Sequence, residues 1–159
     1  MKSSLLTGIT FGLTSGVITT LGLIIGLDSG TGSRLAVIGG VLTIAIADAF
    51  SDALGIHISK ESEGKKTNRE VWESTAYTFL FKFICAMTFL VPILIFKLNT
   101  AIGVSIAWGL FILTILSYAI AKNKNEKPLQ VIGEHLLVAI IVITIAHFMG
   151  DQIHLYFAN

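Results

Sequence analysis

Residues 43–58 read TIAIADAFSDALGIHI, an apolar stretch that carries two aspartates, Asp48 and Asp52. The stretch belongs to a longer apolar segment that can cross a membrane as a helix, since about 20 apolar residues suffice for this. An ionised carboxylate at the centre of a membrane costs roughly 2.5–3.5 kcal/mol on insertion scales, so an aspartate there faces protein, water or an ion. The acidic pair is therefore a candidate functional site within a predicted transmembrane helix.

The composition of the chain is that of an integral membrane protein. Of its 159 residues, 53% are hydrophobic and 13% are charged, whereas about a quarter of residues are charged in a typical soluble domain. A net charge of +1 gives no indication of nucleic-acid binding. The one cysteine, Cys85, lies inside an apolar segment, which argues against a disulfide framework or a cysteine metal cluster.

Five apolar segments reach membrane-spanning length. They are residues 5–27, 34–58, 71–96, 100–121 and 130–150. Short polar links join them, which leaves little chain for a soluble domain. We therefore predict an all-α bundle of five transmembrane helices that forms a single membrane domain over residues 1–159.

The distribution of basic residues predicts the orientation of the bundle, because cytoplasmic loops carry an excess of Lys and Arg. Eight basic residues would share one side of the membrane: Lys2, Lys60, Lys65, Lys66, Arg69, Lys122, Lys124 and Lys127. Only Arg34 and Lys97 would lie on the other side. We predict an internal N-terminus and an external C-terminus.

The spacing of the two aspartates suits cation binding. Asp48 and Asp52 are four residues apart, so they project from one face of a helix about 6 Å apart, where two carboxylates either share a proton or hold a divalent cation. Lys82 falls in the middle of the third segment, roughly 16 Å deep against roughly 15 Å for Asp48. Asp48 is thus either a metal ligand or the ion-pair partner of Lys82, and Asp52 is the stronger ligand candidate.

Further polar residues could extend a path from the acidic pair to the cytosol. Glu73 opens the third segment, and we include it with the two aspartates in the predicted metal-ligand set. Glu134 and His135 enter the fifth segment, and Thr14 and Ser15 of the first would line the opposite wall. The alternative is that the residues near the membrane surface are simply hydrated and that the hydroxyls bond their own preceding carbonyls.

Gly8, Gly12 and Gly16 are spaced four residues apart in the first segment. Glycines at this spacing line up on one side of a helix and let another backbone approach closely, within the chain or across a dimer. We predict a homodimer that is packed through helix one.

Motifs of soluble enzymes are absent from the sequence. No GxxxxGK[ST], HExxH, GxSxG or CxxC occurs, and no nucleophile and base pair stands out. We expect a protein that is not an enzyme and holds no permanently bound cofactor. A transported ion would be driven by its own gradient or by a proton gradient, since no nucleotide site is indicated.

Two stretches resemble motifs of a known transporter family. Residues 11–27, FGLTSGVITTLGLIIGL, are similar to a first helix with the pattern N-D-G-[LI]-V-[ST]-[TS]. Residues 46–63, IADAFSDALGIHISKESE, are similar to the pattern A-x-S-M-A-x-G-E-Y-[IV]-S. Both patterns belong to the vacuolar iron transporters, proton-coupled exporters of Fe(II) and Mn(II) with five transmembrane helices and a dimeric assembly. The resemblance implies the same architecture for this chain.

The chain departs from the family patterns at residues that bear on metal binding. Thr14-Ser15-Gly16 stands where the family has Asn-Asp-Gly, so the first-helix carboxylate is absent. Ser51-Asp52 stands where the family has Ser-Met, which places a carboxylate on helix two and shifts the site toward harder cations. The link between helices two and three is also too short for the helical cytoplasmic metal-binding domain of some family members.

We expect a transporter that exports a divalent cation, iron or manganese, from the cytosol in exchange for protons. Carboxylates that bind a cation when ionised and release it when protonated provide this coupling. Its membrane would be a prokaryotic plasma membrane rather than an organelle membrane. The alternative is a membrane interaction partner that transports nothing and whose intramembrane acids are structural ion pairs.

Overall fold

The computed structural model describes residues 3–64 and 67–157, and these residues form helices without any strand. The helices are α1 (Ser3–Thr31), α2 (Arg34–Ser62), α3 (Asn68–Thr88), α4 (Leu90–Ile95), α5 (Leu98–Lys124) and α6 (Pro128–Phe157). Counting α3 and α4 as one span, Asn68–Ile95, five spans are long and apolar enough to cross a membrane. The predicted all-α architecture, with five helices that are long and apolar enough to cross a membrane, is confirmed.

Most helices extend a few residues beyond the apolar segments, and several of their ends are capped by polar residues or by glycine. The Ser33 side chain accepts a hydrogen bond from the Ala36 N–H at the start of α2. Thr67 and Glu70 form a reciprocal capping box at the start of α3. At the end of α1, Gly32 adopts φ +58°, a left-handed conformation that glycine tolerates.

The third span is not the single helix that the apolar segment 71–96 predicts. It breaks at Phe89, between α3 and α4. Pro92 explains the break, because proline lacks an N–H and its ring collides with the carbonyl four residues earlier, here that of Thr88. The Phe89 N–H instead donates to the Ala86 carbonyl at 3.1 Å, and the Trp108 indole donates to Thr88 Oγ1 at 3.0 Å.

Helix α1 is the central element of the bundle and contacts α2, α3, α5 and α6. Its side chains Val17, Leu21 and Ile24 are almost fully buried in the apolar core, which also includes Phe89 and Leu113. In contrast, α6 presents large apolar side chains outward along most of its length. An outward apolar surface is expected of a helix that faces lipid.

The two ends of the bundle differ in charge. One end carries the starts of α1, α3 and α6 and the ends of α2 and α5. The described basic residues at this end are Lys60, Arg69, Lys122, Lys124 and Lys127, and we call it the basic end. The opposite end, called the far end, carries Arg34 and Lys97.

Candidate functional site

The candidate site is a cluster of charged groups around Lys82, halfway along the third span. Lys82 is only 1% exposed. Its ammonium nitrogen Nζ lies 2.5 Å from Asp48 Oδ2 and also forms an ion pair with Asp52 Oδ2. Nζ donates a third contact, a hydrogen bond of 2.9 Å to Ser15 Oγ. One buried ammonium thus joins α1, α2 and α3.

The Ser15 hydroxyl completes the cluster by donating to Asp52 Oδ2 at 2.6 Å. Asp48 Oδ2 is buried and accepts no hydrogen bond from any residue that the structure describes, so its contact with Lys82 is an ion pair without hydrogen-bond geometry. The two carboxylates and the ammonium together carry one excess negative charge when all are ionised. The aspartate side chains remain 27% and 21% exposed at the flank of α2.

Glycines on α1 bring Lys82 to this position. A Cβ atom at Gly12 would lie 2.9 Å from the Thr78 carbonyl oxygen and 3.2 Å from the Lys82 nitrogen. A Cβ atom at Gly16 would lie 3.4 Å from the Lys82 carbonyl oxygen. The missing side chains let the backbone of α3 approach α1, which places the lysine beside Ser15. The predicted close approach at these glycines therefore occurs within the chain.

The acidic pair follows from helical geometry. Asp48 and Asp52 lie one turn apart on the same side of α2, so one ammonium can reach both. From the sequence, Lys82 was expected to pair with Asp48 only, because these two residues lie at similar depths along their helices. Depth does not tell in which direction a side chain projects around the helix axis. In the structure Asp52, expected to be the freer ligand, shares the same lysine.

Glu73 lies apart from the two aspartates. Its Oε2 accepts a hydrogen bond from Ser4 Oγ at 3.0 Å, and its Oε1 accepts one from Arg69 Nε at 2.9 Å. It precedes Lys82 on the same helix by nine residues, or about 13 Å along the axis. Within residues 3–64 and 67–157, no three His, Cys, Asp or Glu side chains are grouped so as to hold a metal ion. The predicted set of Asp48, Asp52 and Glu73 is therefore not assembled.

The other predicted path residues divide into two groups. Ser15 belongs to the cluster, whereas the described contacts of the cluster do not include Thr14. Glu134 accepts a hydrogen bond from the Gln130 amide at 3.0 Å. His135 Nδ1 lies 2.7 Å from Ser117 Oγ, which joins α6 to α5. Glu134 and His135 thus lie on α6, which is not one of the helices that form the cluster.

A polar contact at the far end was not singled out from the sequence. Ser29 Oγ of α1 lies 2.5 Å from His147 Nδ1 of α6, and His147 Nε2 lies 3.5 Å from Asp151 Oδ2. The signal that could have indicated it is the four-residue spacing of His147 and Asp151, which places both on one side of α6.

No model of a known protein family matches the chain, and no curated protein sequence matches it either. The resemblance to the vacuolar iron transporters therefore rests on the quoted motifs alone. The site therefore consists of two carboxylates, Asp48 and Asp52, which hold the Lys82 ammonium in the middle of the third span.

Proposed function

We propose that this protein exchanges a divalent cation for protons across the membrane, with Asp48 and Asp52 as the oxygen ligands of the cation. The observation that carries the proposal is the buried Lys82 ammonium held by two carboxylates. Ionisable groups at this depth are costly and mark ion or proton pathways in membrane proteins. When ionised, the two carboxylates carry two negative charges, and the Lys82 ammonium neutralises only one of them.

Charge balance would couple cation binding to the loss of a proton. A divalent cation added beside a charged Lys82 would leave one excess positive charge, whereas the cation beside a neutral Lys82 would leave none. Because an uncompensated charge is expensive away from water, cation binding favours release of the Lys82 proton. Each cation that enters would then displace a proton.

The route for this proton would follow the contact between α1 and α3. Ser74 and Thr78 are buried on the same side of α3 as Lys82, each one turn from the next. The Thr78 hydroxyl, fully buried, has no hydrogen-bond partner among the described residues. Glu73 and Ser4 are bonded to each other where this contact reaches the basic end. Glu73 would then exchange protons at the mouth of the route and would not be a metal ligand.

The predicted homodimer needs a different face from helix one. Gly8, Gly12 and Gly16 of α1 are covered by α3 within the chain. Helix α2 carries an exposed face of small residues, which we call the α2 small-residue face: Gly39, Thr43, Ala47, Ser51, Gly55 and Ser59. Asp48 and Asp52 border this face and are partly exposed. A second copy packed there would shield the carboxylates from lipid, where an exposed charge is costly.

The excess of basic residues places the basic end in the cytoplasm in this proposal, with the far end outside. The transport direction would be export from the cytosol. Carboxylate ligands suit Mn²⁺ and also accept Fe²⁺, so manganese and iron are the proposed substrates.

A specific observation favours a second candidate function. Lys82 already has three oxygen partners, and no further carboxylate or imidazole of the described residues joins the two aspartates in a metal-binding group. A cluster that only holds three helices together would look the same. The chain would then be a membrane interaction partner, with the α2 small-residue face as its contact surface.

Transport by purified protein in sealed liposomes distinguishes the two functions. Uptake of Mn²⁺, Fe²⁺, Co²⁺, Zn²⁺, Mg²⁺ and Ca²⁺ is measured together with the internal pH. We expect uptake of Mn²⁺ or Fe²⁺ with proton movement in the opposite direction. Cation uptake without a pH change would contradict the exchange, and the absence of uptake for all six cations by folded protein would support the second function.

Variants with matched controls test the ligands. Asp48→Asn and Asp52→Asn should each lower the initial rate of uptake by at least about tenfold, as loss of groups at metal sites commonly does. Asp151→Asn removes an exposed carboxylate at the far end and should leave the rate unchanged. Normal uptake by Asp52→Asn would remove the aspartate pair from the mechanism.

A further inference from the structure

A groove between α1 and α5 at the basic end has features of a lipid-binding site. Its volume is about 320 Å³, near the lower end of the range of about 300–1,000 Å³ for ligand pockets. Most of the groove is lined by apolar side chains, and its polar side chains are Thr10, Asn123 and Lys124. The apolar lining residues are Leu6, Ile9, Leu116, Ala119 and Ile120.

On the α5 side of the groove, the polar and apolar side chains are separated along its length. On α5 the lining runs from Leu116 to Lys124, eight residues, or about 12 Å of helix. One leaflet of the hydrocarbon core is about 15 Å deep, half of the full thickness of about 30 Å. The groove therefore has the depth of one acyl chain in one leaflet, with Asn123 and Lys124 at the end of α5 and Thr10 of α1 beside the apolar part.

The positive charge of Lys124, where α5 ends, favours an anionic lipid headgroup at this end of the groove. Lys124 is exposed and has no ion pair among residues 3–64 and 67–157, unlike Lys60 and Arg69 at the same end of the bundle. Basic pockets between transmembrane helices bind anionic lipid headgroups. Asn123 can donate further hydrogen bonds to a phosphate.

We infer that this groove binds an anionic phospholipid, with one acyl chain along Ile9, Leu116 and Ala119 and with the phosphate at Lys124 and Asn123. The site is separate from the Asp48, Asp52 and Lys82 cluster, and the inference does not depend on transport. A lipid seated here would join α1 to α5 at the basic end, where Thr10 of α1 faces the same groove as Lys124 of α5.

Lipid titration of the full chain in detergent tests the inference. Phosphatidylglycerol and phosphatidylcholine with identical acyl chains are titrated separately, and bound lipid is counted by native mass spectrometry. We expect one tightly bound phosphatidylglycerol and at least fivefold weaker binding of phosphatidylcholine. Equal binding of the two lipids would overturn the assignment.

Two variants and a control separate the groove from general attraction to a basic surface. Lys124→Gln should weaken phosphatidylglycerol binding about fivefold. This factor corresponds to the contribution of one lysine to binding at an anionic membrane surface. Lys122→Gln removes the same charge from the same turn of α5 but not from the groove, and should leave binding unchanged. An equal effect of the two substitutions would show diffuse attraction and reject the site.

Ala119→Leu fills the groove without changing charge. Ala119 is exposed, so the substitution does not disturb the core, and binding of both lipids should fall. Unchanged lipid binding by this variant would overturn the inference. A change in oligomeric state without a change in lipid binding would do the same, because it would show that the groove holds a second copy of the chain.

Discussion

Helices α1 and α2 each carry a face of small residues at four-residue spacing, and the two faces have opposite surroundings. Gly8, Gly12 and Gly16 of α1 are covered by α3, so closely that an added Cβ at Gly8 would lie 2.2 Å from Tyr77 Cβ. At Gly39 and Gly55 of α2, such a Cβ would have no neighbouring atom within 4 Å in the described part of the chain. The spacing thus predicts that a backbone can approach but does not identify the partner.

The difference between the two faces is linked to charge. The face of α1 lies against the helix that carries Lys82, and its close packing lets the lysine reach Ser15 and Asp52. The face of α2 borders the two aspartates from the outside. The covered face builds the cluster, and the open face is where the proposed second copy would pack.

The largest expected effect is at the covered face. Gly8→Leu forces a side chain into the backbone of Tyr77 and Thr78, where no flexible group can move aside. We expect a loss of more than about 4 kcal/mol of stability, enough to prevent folding. The measurement is the yield and the thermal unfolding of the purified variant in detergent.

Gly39→Leu is the matched control for Gly8→Leu. It makes the same chemical change at an open position of α2, and the stability of the monomer should change by no more than about 0.5 kcal/mol. If the two variants unfolded at the same temperature, the distinction between a covered and an open face would be wrong.

The next effect concerns the charges that the covered face brings together. Lys82→Met leaves two carboxylates without their buried partner and should cost about 3–5 kcal/mol. Asp48→Asn removes the excess negative charge and keeps the Asp52 ion pair, so its cost should be below about 1 kcal/mol. Chemical or thermal unfolding of each variant gives both values.

A triple variant tests whether the cost at Lys82 is electrostatic. Asp48→Asn and Asp52→Asn together with Lys82→Met remove all three charges, and much of the stability lost in Lys82→Met should return. A triple variant as unstable as Lys82→Met would show that the lysine contributes by packing and not by charge.

A smaller effect is expected at the open face, where only association should change. Gly55→Leu places a large side chain on the α2 small-residue face and should weaken the proposed dimer at least about tenfold while the monomer keeps its stability. Single-molecule counting of subunits in liposomes over a range of dilutions measures this. A dimer that is unaffected by Gly55→Leu would not be packed through α2.

The smallest effect is expected farther along α1, where the helix meets α6. A Cβ at Gly26 would lie 3.6 Å from the Ala146 carbonyl oxygen, an ordinary contact. Gly26→Ala should therefore stabilise the protein by about 0.4–1 kcal/mol, because alanine restricts the unfolded chain. A lower unfolding temperature of the variant would contradict this expectation. It would show that α1 and α6 pack more closely at Gly26 than the distance of 3.6 Å indicates.

The fold was largely predictable because the length of an apolar segment is a property of the sequence alone. The break at Phe89 was not predicted, although Pro92 lies within the segment and gives the reason for it. The bounds of the helices also differed: α3 begins three residues before the predicted segment 71–96, since Thr67 caps it outside the apolar residues.

The candidate site was predictable only in part. Depth along a helix can be counted from the sequence, which brought Lys82 to the level of Asp48. Position around the helix and the choice of neighbour require the packing of the whole bundle, so the participation of Asp52 and Ser15 in the same contact was missed. Glu73 could not join the aspartates, because the rise of α3 separates it from Lys82 by about 13 Å.

The contact between α1 and α6 has a consequence for biosynthesis. Ser29 and His147 are 118 residues apart in sequence, and their side chains lie 2.5 Å apart. At about 5–20 residues per second, a ribosome needs roughly 6–24 seconds to make the intervening chain. During this interval α1 is in the bilayer without α6, and its glycines at positions 22, 26 and 30 are open to lipid or to membrane chaperones. A slow or interrupted synthesis would expose this surface to proteolysis before the bundle can close.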